Sequence, residues 1–85
     1  MNTEMQKRAL AAREARLALL DLKRMVEEAA QATHAAELEA VHLAISPRKD
    51  GDIAGKLRFA IERLGSDAFQ DSLSRARQSL HSAIS

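Results

Sequence analysis

The chain has 85 residues, enough for one small domain, and its 13 Lys and Arg against 12 Asp and Glu leave a net charge of +1, so it is no polycation that binds nucleic acid by charge alone. Without cysteine it has no disulfide, thiolate zinc site or thiol nucleophile. Hydrophobic residues at 46% and charged residues at 29% give a globular balance, and three Gly with one Pro supply too little turn chemistry for an all-β fold.

Residues 3–45 read as one helix. Thr3 and Gln6 have the spacing of a capping box, and from there to Ile45 there is neither Gly nor Pro, while Ala, Leu, Glu, Lys and Arg dominate. Such a helix is roughly 64 Å long at about 1.5 Å per residue, the length of a coiled-coil arm. Its main apolar stripe is Ala11, Ala15, Leu19, Leu22, Val26, Ala29, Thr33, Ala36, Ala40 and Leu43. A second set, Leu17, Leu20, Leu38, Val41 and Ile45, lies nearly opposite. Between Glu27 and Glu37 there is no large apolar residue, so this is where continuity of the helix is least assured.

Residues 46–52 read as a turn, from Ser46-Pro47 to Asp50-Gly51-Asp52. Asp52 is placed to cap a second helix over residues 53–64, with Ile53, Leu57, Ala60, Ile61 and Leu64 as its stripe. Gly65 stands where a C-terminal cap glycine belongs, and Ser66 or Asp67 can cap a third helix over residues 67–84. The stripe of this last helix is Phe69, Leu73, Ala76, Leu80 and Ile84, with Ser72, Ser74, Ser79, Ser82 and Ser85 on its outer side. On one continuous wheel the second and third stripes are roughly 150° out of phase, which predicts a break at Gly65.

The expected architecture is therefore all-α and one domain, residues 1–85: a long N-terminal helix antiparallel to two shorter ones, completed as a dimeric helical bundle. The hairpin can cover only one face of the long helix, which leaves Leu17, Leu20, Leu38, Val41 and Ile45 as the expected seam with a second copy. Charge supports the hairpin. Residues 27–46 hold Glu27, Glu28, Glu37 and Glu39 without Lys or Arg, and the basic second helix is expected to lie beside them and fix the register.

Chemistry-bearing patterns are sparse. Glu39 and His42 have the Glu-x-x-His spacing of dimetal carboxylate bundles, where i and i+3 side chains reach one ion, with Glu62 as the extra carboxylate; the alternative reading is solvated charge. His34 and Glu37 read as a polar notch in the seam. No nucleophile has a base and an orienter, and Gly51 and Gly55 form no phosphate loop, so neither an enzyme nor a cofactor is expected. Lys56, Phe59 and Arg63 share one face of the second helix; with Arg58, Arg48 and Lys49 they form the candidate partner-binding patch, an aromatic among cations. Arg13, Arg16, Lys23 and Arg24 make a second basic strip.

No signal peptide or membrane span is visible, so a cytoplasmic, membrane-free protein is expected. The expected function is that of a protein-interaction module, a homodimer that binds and modulates or inhibits a partner protein, in the manner of a phage or bacterial regulator. A nucleic-acid-binding dimer is the alternative, and a dimetal bundle the remote one.

Overall fold

A computed structural model describes residues 3–45 and 51–85. These residues are all-α, with no strand among them: α1 (Thr3–Ile45), α2 (Ile53–Leu64) and α3 (Asp67–Ile84). The long helix is continuous through Glu27–Glu37, as its content of strong helix formers allows. The segment 46–50 of the expected turn lies outside the described residues.

The inward positions of α1 are residues 11, 15, 18, 22, 25, 29, 32, 36, 39 and 43, all buried or half-buried. They alternate steps of four and three, a period of about 3.5, which is the coiled-coil repeat. The expected stripe is met only in part: Leu19, Val26, Thr33 and Ala40 are exposed, and Ala18, Met25, Ala32 and Glu39 take their places. At Ala18 and Ala32 the smaller of two neighbours turns inward, which lets the helices approach closely, and Glu39 is held inward by its hydrogen bonds to Lys56 and the Asp52 N–H.

The chain divides into two compact units. Residues 1–24 with 67–85 form the first, in which Ala18, Leu22 and Ala76 are buried together and Phe69 packs against them. Its inward residues on α3 are Phe69, Ser72, Ala76, Ser79 and Ala83, again in steps of three and four. Here the expectation fails: Ser72 and Ser79 are buried, whereas Leu73, Leu80 and Ile84 are exposed. Residues 25–66 form the second unit, with Met25, Ala29, Ala36 and Ala60 buried. The inward residues of α2 are Ile53, Lys56, Ala60 and Arg63, while Leu57, Ile61 and Leu64 are exposed.

Helices α2 and α3 are separated at Gly65 and Ser66. The Gly65 N–H donates to the Ile61 carbonyl at 2.9 Å, and the Ser66 hydroxyl donates to the Arg63 carbonyl at 2.9 Å. Gly65 has φ −93° and ψ 2°, so the left-handed cap geometry usual for such a glycine is not used.

Candidate association surfaces

The most elaborate polar site is the corner where α2 begins. Asp52 caps the helix, its carboxylate accepting from the Gly55 N–H at 3.0 Å. The Asp52 N–H in turn donates to Oε1 of Glu39 at 2.7 Å, and Lys56 donates to Oε2 of the same carboxylate. A Cβ on Gly51 would lie 2.7 Å from Glu39 Oε1 and 2.8 Å from a Leu43 methyl, and one on Gly55 would lie 2.2 Å from Asp52 Oδ2. A larger residue at either position would thus displace the end of a side chain, the Glu39 carboxylate and Leu43 methyl at Gly51 and the Asp52 carboxylate at Gly55. The Lys56 hydrogen bond, the Asp52 N–H and the Lys56 charge hold the Glu39 carboxyl below the ordinary glutamate value, against the opposing effect of burial.

Two turns further along α2, Arg63 pairs with Glu28 at 2.6 Å. The basic second helix thus lies on the acidic part of α1, and the expected charge pairing is present at both contacts. This rearranges the candidate partner patch. Lys56 and Arg63 point to α1 rather than outward; Arg58 and Phe59 are exposed; Arg48 and Lys49 lie outside the described residues. The cause is the rotation of α2 that brings Ala60, and not Leu57 and Ile61, onto α1.

For the dimetal alternative, both Glu39 oxygens accept from the chain's own donors, and Glu62 and His42 are exposed. Among the described residues no three His, Asp or Glu side chains come together. His34 is exposed on the rim of a shallow groove of about 400 Å³ in the second unit, floored by Ala29, Ala30 and Ala60 and walled by Val26 and Leu64.

The apolar surface is of a different order. Among the described residues six of the eight buried apolar ones are alanines, and none of the larger side chains is fully enclosed. Among the described residues sixteen large apolar side chains are exposed. Thirteen of them fall into two groups. Leu17, Leu20, Leu38, Val41 and Ile45, the expected seam, occupy the back of α1 and are 48 to 80% exposed. The second group sits one residue after inward positions on all three helices: Leu19 and Val26 on α1; Leu57, Ile61 and Leu64 on α2; Leu73, Leu80 and Ile84 on α3.

That one-residue offset has a geometric consequence. In each unit the paired helices run antiparallel: Glu39 meets Lys56 while Glu28 meets Arg63 in one, and residues 7–14 border 75–82 while 18–22 meet 69–76 in the other. One step along a helix turns about 100°. Seen from one end, that step is clockwise on one helix and anticlockwise on its antiparallel neighbour, so both steps turn to the same side of the hairpin. In each unit, then, the large apolar residues of both helices share one open side. On α1 this side carries Met5, Ala12, Leu19, Val26, Thr33 and Ala40, all uncharged; the opposite side carries Lys7, Glu14, Asp21, Glu28, Ala35 and His42, almost all polar or charged.

This open side is the feature that sequence reasoning missed. The signal was present, since the expected α1 stripe combines the inward positions with Leu19, Val26, Thr33 and Ala40. It is the average of two surfaces.

No protein-family model matches the chain, and neither a curated protein nor a solved structure shows significant similarity to it.

Proposed function

We propose that the chain is a non-enzymatic protein-interaction module, a small helical dimer that binds and modulates a partner protein. The observation that carries this reading is the inverted distribution of side-chain size, alanine inside and leucine, isoleucine and valine outside. Burying a leucine side chain contributes about 1.5–3 kcal/mol, and a methyl-sized group only about 0.8 kcal/mol. The larger part of the hydrophobic free energy in this sequence is therefore realised on association. The exposed area agrees. The chain exposes 6656 Å², where an average monomer of 9.3 kDa exposes about 5000 Å².

No helix among the described residues is long and apolar enough to cross a membrane, so a bilayer-spanning role does not account for these side chains. The nucleic-acid alternative retains Arg58 and the cations of α1, but Lys56 and Arg63 are committed to Glu39 and Glu28. Sedimentation of the full chain over two orders of magnitude in concentration tests the proposal. A mass above that of one chain is expected. A helical chain that stays monomeric throughout refutes the reading.

A further inference from the structure

We infer that the occupant of the open side is a second copy of this chain, so that two helical pairs close face to face into a four-helix section. This rests on the association reading above and specifies which surface self-associates.

Two observations select this surface and this occupant. First, the open side is two helices wide and draws on both: in the first unit Leu19 faces the same way as Leu73 and Leu80, and in the second Val26 faces the same way as Leu57 and Leu64. The back of α1 is one helix wide, and Arg24, Glu27, Gln31 and His34 interrupt its apolar residues. A four-helix bundle needs the wider pattern, inward positions plus one adjoining position per repeat, whereas a two-position seam suits a simple coiled coil.

Second, area identifies a partner of the chain's own size. Two copies must bury about 5000 Å² between them to match an average protein of the doubled mass. That lies at the upper end of the range of about 2,000–5,000 Å² typical of obligate homodimers.

A copy related by a two-fold axis is isologous, so one set of residues serves both chains and the assembly closes at two.

Association of the full chain and three variants tests this. Ile61→Glu and the pair Leu73→Glu with Leu80→Glu place charge on the open side; Leu20→Glu with Val41→Glu places it on the back of α1. The open-side variants are expected to weaken dimerisation at least about a hundredfold with helicity retained, and the back-face variant to leave it unchanged. Because the chain has no cysteine, single thiols supply a second readout that does not depend on how the charged variants fold. In Ile61→Cys the thiol is expected to lose reactivity as dimer forms, and in Leu38→Cys to stay reactive. A dimer that dissociates on back-face substitution, with Leu38→Cys protected and Ile61→Cys reactive, overturns this inference and leaves the association reading standing. A monomeric wild-type chain overturns both.

Discussion

The two units pack the same long helix by different means. In the first, α3 presents Ser72, Ala76 and Ser79 at the inward positions, all buried and none charged. In the second, α2 presents Lys56, Ala60 and Arg63, and the two cations are matched by Glu39 and Glu28. One seam is specified by steric fit, the other by charge placed on either side of a single alanine. Fit is insensitive to solution conditions, whereas partly exposed ion pairs respond to salt and to protonation. The first unit is therefore expected to set packing density and the second to set register.

The largest test of that contrast is to crowd the neutral seam. Ala76→Leu inserts a branched side chain where the alanine is 1% exposed against Ala18 and Leu22. It is expected to destabilise the chain by about 1–3 kcal/mol in chemical denaturation followed by circular dichroism, equally at low and high salt.

An intermediate effect is expected at the charged seam. The Glu39 carboxyl is held below its ordinary value in the folded chain. Its contribution is therefore complete above the unfolded glutamate value and is lost as pH falls through the folded one. Glu39→Gln should lower the thermal midpoint at neutral pH, and the gap from wild type should close on acidification and narrow in high salt. A gap that is independent of both would place the second unit in the same class as the first.

The smallest effect is expected at the junction between the units' shorter helices. Gly65 has a negative φ open to any residue, and an added Cβ would lie 3.3 Å from the Ile61 carbonyl oxygen. Gly65→Ala should change stability by less than about 1 kcal/mol, measured by the same denaturation. A larger loss would indicate that this glycine works through a left-handed conformation in solution.

The element plan was legible in the sequence because its causes are local. The Gly- and Pro-free run of α1, the Asp52 cap and the phase shift at Gly65 each act within a few residues. The rotation of each helix was not legible. Periodicity ranks residues by apolarity, and by that measure Leu73 outranks Ser72 and Ile61 outranks Ala60. At Ala18, Ala60, Ser72 and Ser79 the smaller residue of the adjacent pair turns inward, whereas Lys56 and Arg63 turn inward to carboxylates of α1. Two members of the partner patch depart for a related reason: with Leu57 and Ile61 as the inward stripe, Lys56 and Arg63 fall on the far face, although the acidic run from Glu27 to Glu39 offers them counterions on α1. The back-face residues Leu17, Leu20, Leu38, Val41 and Ile45 were placed where the structure has them, uncovered in the single chain.

The alanine-lined interior also separates two entropic losses that most small proteins incur together. Alanine has no rotamers to surrender, so zipping up the hairpin freezes little beyond the backbone. The leucines and isoleucines outside keep their torsional freedom until something presses against them. In the proposed dimer, folding of one chain and immobilisation of its bulky side chains thus become successive events, the second governed by concentration.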